Sequence, residues 1–259
     1  MPVSGRGIRR LVLEQSKRAN VGHIGSALSV ADILAVLYGG VLKGGAGDPD
    51  RDRFVMSKGH AAIALYAALY MADYLTRDDL DSYIGEGSLL GVHPHHGLPG
   101  IDFSTGSLGQ GLAFATGAAL AARLAGSQRR SYALLSDAEV NEGSVWEAVM
   151  FAAHHGLDNL VAIIDVNGQQ ALGYTRDVIS LAPLEDRWRA FNWDVHVVPG
   201  HEPAAIASVL EGLRPGQPHV LIAQTTFGKG VSFMENQIRW HYMPMNDEEY
   251  AIALGEIGD

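Results

Sequence analysis

The sequence contains no cysteine, which excludes disulfide bonds, thiolate nucleophiles and thiolate metal ligands. Basic residues are also outnumbered: 19 Lys and Arg stand against 29 Asp and Glu, and the formal net charge is −10. Because nucleic-acid binding needs a basic surface, we expect no nucleic-acid partner. With 259 residues, 47% of them hydrophobic, the chain is long enough for one large α/β domain, and we predict a single domain over residues 1–259.

The sequence also lacks a long apolar run. The N-terminus "MPVSGRGIRRLVLEQ" has no apolar core of signal-peptide length. The longest uncharged stretch, "STGSLGQGLAFATGAALAA" (104–122), begins with Ser, Thr, Gly and Gln. We therefore predict a glycine-rich loop that continues into a helix of small residues, not a membrane span. The expectation is a cytoplasmic protein with no membrane partner.

Short apolar runs alternate with helical patterns through the second half of the chain. This alternation predicts a doubly wound α/β fold, in which helices cover both faces of a parallel sheet. Before it, "IRRLVLEQSKRA" and "SVADILAVLYGGVL" carry helical spacing, the second with Ser29 as its cap, whereas the tail after Gly230 has no clear period. The predicted strands are "RFVM", "SYALLSD", "NLVAIIDVN", "WDVHVVPG" and "HVLIAQTT".

Polar side chains follow two of these strands. Asp137 comes directly after one strand, and Asn167 follows the next strand thirty positions later. Since ligands bind beyond the carboxyl ends of parallel strands, the two side chains are expected to meet there. Carboxylate and amide oxygens suit Mg²⁺ or Ca²⁺, and the helix after Glu142 offers its N-terminus to a phosphate. The alternative is that Asp137 and Asn167 are only turn or cap residues.

Three predicted loops combine histidine with glycine: His23 lies in "VGHIGS", His60 in "MSKGHAA" and His93 in "GVHPHHGLPG". The segment "STGSLGQGL" follows, and then "SDAEVNEGSVWEA", "LDNLVAIIDVN" and "TTFGKGVSFMEN". Taken together and in this order, the segments resemble the N-terminal half of transketolase, a thiamine diphosphate (ThDP) enzyme. The resemblance covers essentially the whole chain and implies the diphosphate-binding type of ThDP fold.

The resemblance assigns roles to the acidic turn. The family's Gly-Asp-Gly motif reads Ser136-Asp137-Ala138 here, and its later Asn is Asn167. It implies a Mg²⁺ that bridges the cofactor diphosphate and is bound by the side chains of Asp137 and Asn167 and by the carbonyl of Gln169. Ala138 should be tolerated if its φ is negative. Glu139 is grouped with the cofactor-binding residues, although neither it nor Asn141 has a role that the residues themselves define, and both are expected to be exposed to solvent.

The remaining site residues also come from the resemblance. His23, His60 and His93 match substrate-channel and cofactor-side histidines, which suits imidazole because it exchanges protons near neutral pH. Glu142 matches a carboxylate in a network across the subunit interface, and His241 is the nearest match to a further loop histidine. His95, His96, His154 and His155 are expected to be surface or structural residues. Catalytic roles are therefore predicted for His23, His60, His93 and Glu142, and cofactor contacts for His60, Gly106, Leu108, Asp137, Ala138, Glu139 and Asn167.

A complete transketolase adds a pyrimidine-binding domain, with the Glu that activates the cofactor, and a C-terminal domain. The chain is thus expected to be the α subunit of a two-chain transketolase, an α2β2 assembly that uses ThDP and Mg²⁺. It would move a two-carbon ketol unit from a ketose donor to an aldehyde-type acceptor. One alternative is a specialised relative that loads such a unit onto a carrier in secondary metabolism. Others are half of a 1-deoxyxylulose-phosphate synthase and a non-catalytic subunit that has lost cofactor binding.

Overall fold

The computed structural model describes residues 2–258. Five parallel strands form its main sheet in the order β1-β2-β3-β7-β6, and β4 and β5 form a small antiparallel hairpin. All five strands predicted from the sequence are present, which confirms the parallel sheet. In chain order the strands are β1 (Arg53–Met56), β2 (Ser131–Ser136), β3 (Leu160–Val166), β4 (Gln169–Gln170), β5 (Gly173–Tyr174), β6 (Asp194–Pro199) and β7 (His219–Gln224).

Helices occupy most of the remaining chain. A π-helical turn at Leu37–Val41 and 3₁₀ turns at Gly59–Ala61 and Ala138–Asn141 join them. Among the described residues the α-helices are α1 (Gly5–Ala19), α2 (Ile24–Ser29), α3 (Ala31–Val36), α4 (Ala62–Met71), α5 (Arg77–Asp81), α6 (Gly111–Leu124), α7 (Gly143–His154), α8 (Thr175–Val178), α9 (Leu184–Ala190), α10 (Pro203–Glu211), α11 (Arg239–Tyr242) and α12 (Asp247–Ile257).

Two apolar layers enclose the sheet. On one face, the side chains of α1, α3, α4 and α10 pack against residues such as Ile163 and Leu221. On the other face, α6, α7 and α9 pack against residues such as Ile164 and Ile222. Neighbouring residues of one strand thus enter opposite layers, as the two-residue period of a strand requires. The doubly wound arrangement is confirmed.

Two details differ from the sequence-based expectation. The sequence predicted one helix that begins at Ser29. In the structure, α2 already ends at Ser29, and a separate helix, α3, starts two residues later. The Ser29 hydroxyl is fully buried, donates to Asp165 (2.8 Å) and lies 3.0 Å from the carbonyl of Ser26, so it does not cap a helix. The tail described as aperiodic contains α12, which starts with a capping box formed by Asn246 and Glu249.

The carboxyl ends of the central strands open on one edge of the sheet. Ser136 of β2 lies opposite Asp165 of β3, and Val166 of β3 lies opposite Gln224 of β7. The loops that follow these residues are therefore neighbours in space. No helix within residues 2–258 has the length and apolar character needed to cross a membrane.

Candidate active site

Asp137 and Asn167 lie together where β2 and β3 end. The amide of Asp137 donates to the carbonyl of Asp165 (3.2 Å), and the amide of Gly168 donates to Oδ2 of Asp137 (2.8 Å). Gly168 has a φ of 75°, in the left-handed region that glycine adopts without a steric penalty. The loop after β3 can therefore turn back onto the Asp137 carboxylate, and both predicted ligands face the same edge of the sheet.

The oxygens of this pair remain able to bind a cation. Oδ1 of Asp137 accepts one bond from the Ala138 amide (2.9 Å), and Oδ1 of Asn167 accepts one from the Gln169 amide (3.0 Å). Each oxygen keeps a second lone pair. Burial, followed by the nearby charge of Asp165, raises the pKa of Asp137 to about 7. A bound cation would offset both the burial and the repulsion, so the donor set fits a hard divalent metal.

The altered glycine motif does not block this edge. Ala138 begins the 3₁₀ turn after β2, and neither Ser136 nor Ala138 has a positive φ. The condition under which alanine was expected to be tolerated is therefore met. Both residues line the cavity described below, and the hydroxyl of Ser136 accepts a bond from the Glu139 amide (3.2 Å).

A buried ion pair lies directly behind Asn167. Lys58 and Asp165 form a salt bridge, and neither side chain is exposed to solvent. Oδ2 of Asp165 also accepts bonds from the Ser29 hydroxyl (2.8 Å) and the Asn167 side-chain amide (2.8 Å), and Thr225 donates to its other oxygen. The bond from the Asn167 Nδ2 fixes the orientation of that amide and hence the position of its oxygen. The sequence-based interpretation did not include this pair.

The expectation that Glu139 is exposed to solvent is wrong. Its side chain is fully buried, and its carboxylate accepts bonds from the Ser57 hydroxyl (2.5 Å), the Gly109 amide (2.8 Å) and the Ser136 amide (3.3 Å). Burial raises the pKa of Glu139 against the opposing effect of these donors. Glu139 thus bonds to the protein's own chain and does not line the cavity; it positions the loop that carries Gly106 and Leu108. Asn141 is half-buried and does line the cavity.

Three histidines converge on the other side of the cavity. The ring centroids of His23, His60 and His241 lie 5.1–5.5 Å apart. Nε2 of His60 lies 2.8 Å from the Ser26 hydroxyl, and the backbone amide of His23 donates to the His241 carbonyl (3.2 Å). The structure thus brings His241, the nearest match to the family's further loop histidine, close to two predicted site histidines.

This histidine cluster (His23, His60 and His241) is held in its neutral form. Burial lowers the pKa of all three residues, and that of His241 falls to about 4. The nearby charge of Lys58 also lowers the pKa values of His60 and His241. At neutral pH the three imidazoles can therefore both donate and accept hydrogen bonds without bringing positive charge into the cavity.

His93 lies at the edge of this region. Its side chain is exposed and packs against Gly106, where an added Cβ would come within 3.2 Å of the ring. Its charge contributes to the lowered pKa of His23, which places it near the histidine cluster. His95 and His96 stack on one another at the surface, with centroids 4.7 Å apart.

A cavity of about 300 Å³ connects the two sets of residues. Three buried polar atoms around it have no hydrogen-bond partner among the described residues: Nδ1 of His23, Oε1 of Gln169 and Nε2 of Gln170. Buried polar groups are normally paired, so these atoms indicate a site for a polar ligand. The predicted residues that line the cavity are His60, Leu108, Ala138, Glu142, Asn167 and Gln169; Ser136, Phe227 and His241 lie beside them.

Comparison with known proteins agrees with this geometry. Residues 4–258 match the family described as transketolase, thiamine diphosphate binding domain. The chain belongs to this transketolase family. It is 41% identical to an apulose-4-phosphate transketolase subunit of Actinobacillus succinogenes, and the match covers 97% of this chain and 93% of that one. It is also 41% identical to the 6-deoxy-6-sulfo-D-fructose transketolase subunit SqwG of a Clostridium species, over 96% of this chain and 93% of that subunit.

Solved transketolases share the fold. The Campylobacter jejuni transketolase superimposes with a TM-score of 0.93 and 31% identity, covering 99% of this chain and 42% of that enzyme. The Leishmania mexicana enzyme gives a TM-score of 0.92 and 32% identity over 98% of this chain and 40% of its own. The chain thus spans about two fifths of these solved chains but nearly all of the two relatives named above. It is a ThDP-dependent, transketolase-type subunit that corresponds to their N-terminal part.

Proposed function

We propose that the chain is the α subunit of a two-chain transketolase that transfers a two-carbon ketol unit from a ketose donor to an aldehyde-type acceptor. The observation that supports this most is the cavity itself, where oxygen donors, neutral histidines and unpaired buried polar atoms converge. The relatives that are named as transketolase subunits match over 93% of their length. The proposed location is the cytoplasm.

The proposed metal is Mg²⁺, bound through Asp137, Asn167 and the carbonyl of Gln169. Mg²⁺ prefers oxygen ligands and usually completes its shell with phosphate and water, which a cofactor diphosphate would supply. Glu142, which precedes the first turn of α7, lines the same cavity, and a helix N-terminus at this position would favour an anion. ThDP, when bound, supplies the nucleophilic and electron-accepting chemistry that ketol transfer requires.

The chain's own residues then bind and orient the reactants. The neutral His23, His60 and His241 can hydrogen-bond to the hydroxyl groups of a ketose or to groups of the cofactor. Because they carry no charge, they would not repel the cationic thiazolium ring of ThDP. His93, exposed at the edge of the cavity, is placed to contact the donor. Gly106 and Leu108 lie in the loop that Glu139 holds through Gly109 and are proposed to contact the cofactor's pyrimidine side.

The partner is proposed to carry the pyrimidine-binding domain and to close the cavity. Large apolar side chains are exposed at its mouth: Leu172 is 81% and Ile179 is 58% exposed. Contiguous exposed apolar surface of this kind marks an interaction site. Glu142, the N-cap residue of α7, is exposed nearby, and its side chain makes no capping hydrogen bond, which agrees with a carboxylate partner on another chain. We propose an α2β2 assembly with two cofactor sites.

The test is to compare the chain alone with the chain co-expressed with its partner. We expect the purified complex, given ThDP and Mg²⁺, to transfer a ketol unit, and we expect the single chain to be inactive. The relatives' names contain a ketose phosphate and a sulfo-ketose. The donor screen should therefore include one ketose that carries a phosphate and one that carries a sulfo group. Robust turnover by the purified single chain would contradict the two-chain proposal, and an inactive complex that also fails to bind ThDP would support a non-catalytic subunit.

A further inference from the structure

A second set of metal-binding side chains lies at the opposite end of the sheet, outside the cofactor cavity. Asp194 and His196 are two residues apart in β6, so their side chains project from the same face. His219 is the first residue of β7 and lies directly opposite Asp194 in the parallel register. The strand geometry therefore brings all three side chains to one face, at the amino ends of β6 and β7.

The distances within this cluster suit a metal ion. Oδ2 of Asp194 lies 3.1 Å from Nε2 of His196 and 3.3 Å from Nδ1 of His219. One ligand atom from each residue lies within 4.8 Å of the others. A tetrahedral Zn²⁺ has ligand distances of about 2.0–2.2 Å, which separates its ligand atoms by roughly 3.3 Å. The two separations that involve Asp194 match the spacing of ligands around a shared ion, and the two histidine nitrogens lie within 4.8 Å of each other.

His219 provides an independent observation. The residue is only 1% exposed, and neither of its ring nitrogens forms a hydrogen bond with any described residue, even though Nδ1 lies close to Asp194. Burial of this imidazole is costly, because Nε2 has no partner among the described residues and Nδ1 has only the Asp194 contact to replace its bonds to water. A metal ion at Nδ1 would replace one of those lost interactions.

The cluster is also open to solvent on one side. The side chains of Asp194 and His196 are 33% and 28% exposed, and both border a cavity of about 380 Å³ that also reaches Ser208, Gly212 and Arg214. An ion can therefore enter, and water or a small anion beside Arg214 can occupy the remaining coordination position. Burial is the main cause that lowers the pKa of His219, and the charge of Arg130 adds to it; Arg130 is thus a nearby cation that opposes metal binding.

We propose that Asp194, His196 and His219 bind one divalent transition-metal ion of the Zn²⁺ class. Two imidazoles and one carboxylate match the preference of Zn²⁺ for nitrogen ligands, whereas Mg²⁺ and Ca²⁺ prefer oxygen. The site is separate from the proposed Mg²⁺ site. His219 begins β7, and Gln224 ends it beside the cofactor edge; five residue steps of about 3.3 Å separate these ends by roughly 16 Å.

The bound ion would link an edge strand to its neighbour. In the main sheet, β6 pairs only with β7, and two ligands come from β6 and one from β7. Metal binding therefore stabilises the docking of β6, because an ion that binds the folded state alone raises the free energy of unfolding. This predicts a role in stability and assembly at the sheet edge, not in ketol transfer.

The test is a Zn²⁺ titration of the metal-stripped complex by calorimetry, with ThDP and excess Mg²⁺ present. We expect the wild type to bind one equivalent of Zn²⁺. Asp194→Asn and His196→Gln should each weaken this binding at least about 100-fold, since loss of an outer-shell contact alone costs about 10–100-fold in metal affinity. His155→Gln, which changes an exposed histidine that is not part of the cluster, should retain wild-type binding. None of these variants changes the histidine cluster, so any Zn²⁺ that it binds is the same in every titration and is subtracted from each.

Two further measurements complete the test. Co²⁺ in place of Zn²⁺ should give the intense visible absorption of a tetrahedral site in the wild type and in His155→Gln only. Zn²⁺ should raise the melting temperature of those two proteins and leave that of Asp194→Asn unchanged. Equal Zn²⁺ uptake by the wild type, Asp194→Asn and His196→Gln, or no Zn²⁺ uptake by the wild type, overturns the proposal.

Discussion

Lys58 and Asp165 form an ion pair with no solvent exposure on either side chain, immediately behind the Asn167 amide that Asp165 orients. Removing one member leaves the other as an unpaired buried charge. We therefore expect Lys58→Met to lower the free energy of unfolding by about 3–5 kcal/mol, measured by urea denaturation. Adding Asp165→Asn to this variant should restore part of the loss, and strictly additive effects of the two substitutions would show that the pair is not coupled.

Asp137→Ala should abolish metal-dependent cofactor binding. The substitution removes a charged oxygen ligand, and loss of one charge-assisted contact costs at least about 1.5–3 kcal/mol, or more than tenfold in affinity. Calorimetry of the assembled complex with ThDP and Mg²⁺ measures the effect. Glu147→Ala, on the exposed side of α7, is the control that should bind as the wild type does. Wild-type ThDP affinity in Asp137→Ala would exclude it as a metal ligand.

His93→Ala should reduce donor turnover far more than cofactor binding. The side chain is exposed beside Gly106 and distant in sequence from the residues that would hold the diphosphate. We expect a lower kcat for the ketose donor with unchanged ThDP affinity, measured at saturating cofactor. His96→Ala, which removes a neighbouring surface histidine, should keep wild-type kinetics. If both variants behave alike, His93 is an ordinary loop histidine.

The lowered pKa of His241 predicts sensitivity to acid. The pKa of His241 is about 4 in the folded chain and near 6.5 when unfolded, so the unfolded state binds the proton first as the pH falls. Stability should therefore decrease from about pH 6.5 down to about pH 4 and then level off with respect to this group. His241→Gln should show a smaller fall in urea midpoint between pH 7.5 and pH 5. His154→Gln, an exposed histidine outside the cavity, is the control.

One face of α6, which includes Ala113, Gly117 and Ala121, is exposed in this chain and gives a test of assembly. A Cβ added at Gly117 meets nothing within 4 Å in this chain, and the same holds for Gly255 of α12. Leucine is a better helix former than glycine, so neither Gly117→Leu nor Gly255→Leu should destabilise the isolated fold. If α6 packs against another chain of the complex, Gly117→Leu alone should shift the co-purified complex from α2β2 to smaller species in light scattering. An intact tetramer with Gly117→Leu would place the interface elsewhere.

The sequence predicted the sheet well because its strands are short apolar runs with clear ends. The same alternation placed Asp137 and Asn167 at neighbouring strand ends, and β2 and β3 are adjacent in the structure. The strand order beyond that pair could not be read from the pattern, because parallel strands are joined by crossover connections whose positions in the sequence do not say which strands pair. The start of α12 was missed although Asn246 and Glu249 have the spacing of a capping box.

The errors concern polar residues that the fold buries. Glu139 and Lys58 look like surface residues in a sequence, since charged side chains are rarely buried without a partner. Their partners, Ser57 and Asp165, are 82 and 107 residues away, so no local pattern could pair them. The Asp194, His196 and His219 cluster likewise forms only through the pairing of β6 with β7.

Glu139 also bears on the order of folding. Its carboxylate joins the end of β1 at Ser57, the loop at Gly109 and the end of β2 at Ser136, across separations of up to 82 residues. Such long-range contacts form late, after the intervening chain has closed. The loop that Glu139 holds therefore takes its native position only once β1 and β2 have come together, and cofactor binding would report that this part of the sheet has folded.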